Sequence, residues 1–407
     1  MTIKDYAILR DLAERYREIA ADPVMDVRRD LWRRHNSLKR TRPLIYIRAF
    51  AWQEMVQSRL HCDDPFFRGY EDFFRQSLFR YTFEDDFIFE PWVTVRAACV
   101  TPPEGVWGLA SPRTHSTEAR GSFVWNAPLK AEEDIERLIE PHHAIDEAET
   151  ARRMEKLDDA IGDLLTINVD RQPAYVMWEG DISTQLVYLR GLEQVMWDMM
   201  DRPAWLHRLL ARMRDGILRT HEEAEAAGDW SLSAHQNQAM PYAEELADPA
   251  ANRNGVSRRQ LWVFMASQET TAVGPKQFEE FMLRYQIPIM APFGLVAYGC
   301  CEDLTRKIDM VRQLKNVRCI AVSPVANLRK CAEQIGTDYC MSWRPNPADM
   351  VATDWNEERV RTIISEGLEI TREQYVHISL KDVETVGGEL ERYPRWVKIV
   401  RELAEKA

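Results

Sequence analysis

The chain predicts an α/β protein, a (β/α)8 barrel of the TIM type with a helical N-terminal elaboration. Three observations carry that prediction. Strands and helices alternate from residue 173 to the end, the strands are apolar without polar alternation, and no Gly-, Ser- or Pro-rich linker divides the 407 residues. Unalternating strands are expected where helices cover both faces of a parallel sheet, and such barrels run past about 250 residues as one unit. Residues 1–40 are expected as N-terminal helices and 41–407 as the barrel.

In chain order, apolar residues recur at helical spacing over 6–22 and 24–38, and the aromatic-rich run FFRGYEDFFRQSLFRYTF (66–83) reads as a helix. Candidate strands are 43–48, 87–95, 173–178, 229–235, 261–267, 294–299, 317–322, 338–343 and 374–378. Helices are predicted between them at 183–200, 203–227, 275–288, 303–314, 326–335, 356–370 and 390–405. Nine strands for eight barrel places leave one in excess.

Composition removes several function classes. Apolar residues make up 45% and charged residues 29%, enough for a large core and against disorder or a small disulfide scaffold. The balance of 53 Lys+Arg against 65 Asp+Glu, net −12, disfavours a phosphate backbone as partner. No apolar run approaches the 18 or so residues of a membrane span, and the charged start MTIKDYAILRDLAERYREIAADP has no export pattern, so a cytoplasmic protein is expected. Seven cysteines (Cys62, Cys99, Cys300, Cys301, Cys319, Cys331, Cys340) then point to reduced thiols or metal ligands rather than disulfides, and five of them fall between 300 and 340.

In such a barrel the chemistry sits at the C-terminal strand ends. Strand 294–299 ends in Tyr298-Gly-Cys-Cys-Glu-Asp303, two thiols beside two carboxylates, and His377 lies 77 residues after Cys300 near the end of the last strand. Cys300, Cys301, Glu302 and His377 are therefore candidate zinc-type ligands; packing is the alternative for the adjacent thiols. Other strand ends offer Glu179 and Asp181, His235 and Gln236, Gln268 and Glu269, Asp85, Asp86 and Glu90, and Trp343-Arg344 with Asn346. Asp181 and Asp303 precede helices and also read as caps. Thirteen tryptophans, among them Trp92, Trp107, Trp178, Trp262 and Trp343, suit an aromatic-lined pocket or simply a large core. GxGxxG after a strand, GxxxxGK[ST], GxSxG and HExxH are all missing, which removes the dinucleotide, nucleoside-triphosphate, esterase and metalloprotease readings.

The stretch EGDISTQLVYLRGLEQVMWDMMDRPAWLHRLLARMRDGI (179–217), with its Arg190-Gly191 pair, and VGPKQFEEFMLRYQIPI (273–289) resemble corresponding passages of the uroporphyrinogen decarboxylase superfamily, over roughly residues 40–405. Within it, corrinoid-dependent methyltransferases carry zinc on a His-x-Cys and a distal Cys; here Tyr298, Cys300 and His377 stand at those positions. The metal-free decarboxylases use an Arg-rich N-terminal motif, replaced here by Arg48-Ala-Phe-Ala-Trp52. The resemblance implies a zinc-dependent methyltransferase moving a methyl group between a small methylated compound, of methoxylated-aromatic or methylamine type, and the corrinoid (cobalamin) of a partner protein. In that reading Glu179, Glu269 and Gln268 orient the substrate or give a proton to its leaving group, and Trp178, Trp262, Tyr298, Trp343 and Arg344 line the pocket. The alternatives are a metal-free lyase for a carboxylated substrate and a catalytically silent binding barrel; a homodimer is expected from general frequency alone.

Overall fold

The computed structural model describes residues 2–118, 121–352 and 354–406. The first two helices, Ile3–Ala20 and Val24–Asn36, follow from amphipathic spacing and a capping box in which the Thr2 side chain accepts from Asp5 N–H. With Pro65–Tyr81 and Glu147–Ile161 they bury Leu9, Trp32, Phe67, Phe74 and Leu157 in a core of their own.

The strands are β1 (Leu44–Ile47), β2 (Trp92–Arg96), β3 (Arg113–His115), β4 (Phe123–Trp125), β5 (Thr166–Asp170), β6 (Trp262–Met265), β7 (Leu295–Tyr298), β8 (Val317–Val322), β9 (Cys340–Trp343) and β10 (Tyr375–Leu380). Six of them form one parallel sheet in the order β1-β10-β9-β8-β7-β6, β2 pairs with β5 in parallel, and β3 with β4 is an antiparallel hairpin. The first strand thus lies beside the last, Leu44 opposite His377. On its other side β1 meets two aspartates: Asp86 Oδ2 accepts from Ile45 N–H and Asp85 Oδ2 from Ile47 N–H, each at 2.8 Å. Those carboxylates answer the backbone donors that β10 does not take, so Asp85 and Asp86 are structural. Among the described residues backbone pairing does not close a ring of eight strands.

Both faces of the sheet are covered, which explains the unbroken apolar strands. Ile45, Val263, Val296, Ile320, Met341 and Ile378 face the surrounding helices and meet Leu206, Ile289, Ile364 and Trp396. The alternate residues Trp262, Leu295, Ala297, Cys319 and Cys340 pack on the concave side with Ala243 and Leu246.

Several sequence readings shift. Residues 173–178 are no strand: a short turn of 3-10 helix at Met177–Glu179 follows Pro173, and the strand lies earlier, at β5. Segment 229–235 makes only an isolated bridge, Ser231 to Asn254, and then runs beside β6 through Gln236 N–H to Trp262 C=O at 3.1 Å. The helix expected over 183–200 breaks at Gly191, whose φ of +87° admits glycine readily. The helix at 303–314 shrinks to Ile308–Val311. No helix among the described residues is long and apolar enough to cross a membrane.

Candidate active site

Period-two alternation along β10 sends Tyr375, His377, Ser379 and, just past the strand, Lys381 to one face. On β9 the same rule sends Cys340, Ser342 and Arg344 inward, and on β7 it sends Leu295, Ala297 and Gly299 inward before the chain turns at Cys300. The C-terminal rim of the sheet therefore gathers Cys300, Cys301, Arg344 and Lys381.

The Sγ atoms of Cys300 and Cys301 are 3.6 Å apart, and Lys381 Nζ lies 3.1 Å from both. Asp382 completes the charge pattern, with Oδ2 3.6 Å from Cys301 Sγ and 3.2 Å from Lys381 Nζ. Arg344 donates to Cys300 C=O at 2.5 Å and to Gln238 Oε1 at 2.7 Å. The hydrogen bond from Cys301 holds the Cys300 thiol down at about 4 despite its burial, with Arg344, Lys381 and Gln238 acting in the same direction. Cys301, its hydrogen-bond donor, is raised in turn. Burial and Arg344 oppose the charge on Lys381, yet the thiols prevail and its pKa stands above the ordinary value. Cys300 is a buried thiolate paired with an ammonium, while Cys301 is exposed.

Glu302 is buried with both oxygens committed: Oε1 accepts from Ser267 N–H at 2.8 Å and Oε2 from Cys300 N–H at 2.7 Å. Burial raises its pKa. It clamps the rim loop of β7 to that of β6. His377 sits four residues before Lys381, two side-chain layers below the rim, with Nδ1 3.0 Å from Nε2 of His35. Burial drives both imidazoles neutral, His35 down to about 3.

The expected zinc ligands are thus not brought together. Cys300 and Cys301 share the rim, but the position between them is taken by the Lys381 ammonium, Glu302 has spent its oxygens on backbone donors, and His377 is engaged with His35. Among the described residues no three His, Cys, Asp or Glu side chains form a group able to hold a metal. The residues present do not fit the predicted zinc set.

The acid groups lie one strand over. Glu269 Oε2 accepts from Ser183 Oγ at 2.8 Å and Oε1 from Thr184 Oγ1 at 3.0 Å and from Gln268 Nε2 at 3.0 Å. Asp181 accepts from Thr184 N–H and Oγ1, so it is the turn-former expected of a residue before a helix, and burial followed by Glu269 raises its pKa well above the ordinary range. Glu179, on the 3-10 turn, is raised by burial. Asp303 likewise holds a turn, accepting from Thr305 N–H at 2.8 Å.

Of the predicted pocket walls, Trp178 belongs to the rim: its ring lies 5.1 Å from Phe264 in one cluster with Ala266 and Cys300. Two do not. Trp343 faces outward onto Gly367 of the helix Glu357–Ile370, and Tyr298 points the same way, its hydroxyl donating to Gln286 Oε1 at 2.8 Å. Their neighbours Arg344 and Gly299 take the inward places, so alternation sends both rings to the helix layer. Trp262 is wholly buried lower on the concave face and donates to Pro241 C=O. Sequence reasoning missed Lys381, Gln238 and Arg48. Arg48 follows β1 toward the same rim, where burial lowers its pKa against the neighbouring Cys300 and Asp382; among the described residues its guanidinium has no hydrogen-bond partner.

Compared with known proteins, the chain matches no family model, and no curated protein matches it.

Proposed function

We propose that this protein is a methyltransferase of the uroporphyrinogen decarboxylase type, acting on a small methylated compound at the mouth of a (β/α)8 barrel and passing the methyl group to a corrinoid carried by a partner protein. The barrel is supported by the pairing of β1 with β10, first strand with last, the junction that closes such folds. The observation that carries the reaction is the Cys300–Lys381 pair at the C-terminal rim. A thiolate is a soft, strong nucleophile toward a methyl carbon, and a heteroatom leaving that carbon needs a proton. In the proposed step the sulfur–carbon bond forms as the carbon–heteroatom bond breaks. The heteroatom keeps that electron pair and takes a proton from Lys381, leaving an S-methyl group and a neutral amine. Glu269, held by Ser183, Thr184 and Gln268, orients the departing group, and Trp178 walls the pocket. Since the expected ligands do not fit zinc, no step runs through a metal. Cys300 then yields the methyl group to the reduced corrinoid of the partner, which supplies the electron pair for the new bond; the carbon–sulfur bond breaks with its pair returning to sulfur as thiolate, and Lys381 regains a proton from water.

A second reading is favoured by one observation, the cations Arg48, Arg344 and Lys381 at the same rim. They suit a metal-free lyase that binds a carboxylated substrate. Incubation with methoxylated aromatics and methylamines plus a reduced corrinoid protein separates the two. Methyl–cobalt absorbance that Cys300→Ser and Lys381→Met abolish supports methyl transfer; carbon dioxide release without methyl transfer supports the lyase.

A further inference from the structure

Successive side chains of a strand point to opposite faces, yet the sulfurs of the adjacent residues Cys300 and Cys301 lie 3.6 Å apart. The backbone brings them together. Strand β7 ends at Tyr298, Gly299 turns the chain with a φ of +98°, and both backbone groups of Cys300 are tied down, N–H to Glu302 Oε2 at 2.7 Å and C=O to Arg344 at 2.5 Å. Cys300 is buried, whereas Cys301 is open to solvent. One ammonium, Lys381 Nζ, stands 3.1 Å from both sulfurs, so it can give a proton at one and take a proton from the other. The fold also sets Cys319 opposite Cys340 in the register of β8 and β9, but those two are buried, and Cys340 Sγ donates to His35 C=O at 3.1 Å.

We propose that Cys300 and Cys301 form an oxidation site at which a hydroperoxide closes a vicinal disulfide, masking the sulfur that methyl transfer uses. The Cys300 sulfur takes the terminal oxygen of the hydroperoxide as the O–O bond breaks, and the departing oxygen takes a proton from Lys381, which leaves a sulfenic acid and an alcohol, or water where the oxidant is hydrogen peroxide. Cys301 passes its proton to the Lys381 amine, and its sulfur attacks that of Cys300; hydroxide leaves and takes the same proton away as water. Two electrons pass from the sulfurs to the O–O bond. Once Cys300 is a sulfenic acid its negative charge is gone, and the ammonium beside Cys301 favours the thiolate there, which fixes the order of the two attacks. The sulfurs must approach by about 1.5 Å to bond. Consecutive Cα atoms stand about 3.8 Å apart, below the usual disulfide span of about 4.4–6.8 Å, so the ring is strained and a dithiol reaching the exposed Cys301 reduces it readily. The masking rests on the methyl-transfer reading; the oxidation rests only on the two sulfurs and Lys381.

The test treats the reduced full chain with hydrogen peroxide, alkylates the remaining thiols in denaturant and maps tryptic peptides by mass. Peptide 285–306 carries Cys300 and Cys301 and no other cysteine. It is expected to lose two hydrogens and escape alkylation, while the other cysteines, Cys319 and Cys340 included, are still alkylated; dithiothreitol should restore both thiols. Lys381→Met should slow the loss about a hundredfold, the usual worth of a positioned proton donor. In Cys301→Ser the reaction should stop at a Cys300 sulfenic acid that dimedone labels. Two alkylated cysteines in the native peptide after peroxide, or Cys300 passing to sulfinic acid with Cys301 still free, would overturn the proposal. The native readout needs no variant, so it decides even if a variant fails to fold. Failure of corrinoid methylation in reduced protein whose peptide oxidises as expected would sink the methyl-transfer reading and leave the oxidation site standing.

Discussion

Gly367 sits in the middle of the helix Glu357–Ile370, where alanine ordinarily stabilises by about 1 kcal/mol relative to glycine. Here the sign is expected to reverse. A methyl group at Gly367 would lie within 2.6 Å of three ring carbons of Trp343, which is 5% exposed and packed in the helix layer. Overfilling a well-packed core costs about 1–3 kcal/mol, and three contacts far inside van der Waals distance place this site at the top of that range. Gly367→Ala should therefore lose about 2 kcal/mol net, the clash less the gain in helix propensity. In a Trp343→Leu background the clash disappears, and the same change should stabilise. The coupling between the two positions is then about 3 kcal/mol, readable from a double-mutant cycle of urea midpoints. A Gly367→Ala protein as stable as the native one, or a change of equal size in both backgrounds, would refute the outward placement of Trp343 and return that ring to the pocket.

The His35–His377 pair is neutral in the fold, and both pKa values lie below the unfolded value of about 6.5. The unfolded chain therefore binds more protons as pH falls below about 6.5, and stability declines from there toward about 3, where His35 itself titrates in the fold. Denaturant midpoints at about pH 7 and pH 5 should differ more in the native protein than in His35→Gln/His377→Gln, and equal slopes would contradict the buried pair. Arg190 is fully buried, bound to Asp198 at 2.6 Å and to the carbonyls of Leu129 and Lys130, so Asp198→Ala should cost about 3–5 kcal/mol by thermal or chemical denaturation, and a loss under about 1 kcal/mol would rule this out. Removing the ammonium in Lys381→Ala leaves two thiols beside Asp382, and this variant should gain a cadmium–thiolate absorbance on titration with cadmium that the native protein lacks; identical titrations would show that Lys381 does not hold the space between the sulfurs.

The parallel strands β6 to β10 were legible because a sheet covered on both faces needs nearly continuous apolar residues, and the sequence there offers little else. The same property hides which face each residue takes. Tyr298 and Trp343 read as strand-end aromatics, yet they share their faces with Val296 and Met341 and so meet helices. A boundary error of two residues displaced the site: with the last strand ending at 378, His377 stands at the rim, whereas β10 runs to Leu380 and the rim residue is Lys381. Alternation from His377 through Ser379 would have found it. The apolar run before Trp178 imitated a strand, and the polar-containing TINVD, which forms β5, did not. The Cys300-Cys301-Glu302 cluster was legible as a candidate from its place at a strand end, though not in the ligand role expected of it. Its partners Arg48, Gln238 and Arg344 come from three other segments, and only folding shows which of many polar residues converge.

The pH dependence of Cys300 alkylation by iodoacetamide tests the thiolate–ammonium centre most directly. The rate should already lie on its plateau at about pH 6, with a midpoint near 4, and in Lys381→Met the midpoint should move upward. A native midpoint at the ordinary thiol value of about 8.5, unmoved by Lys381→Met, would contradict a thiolate held at the rim of the sheet and with it the proposed chemistry.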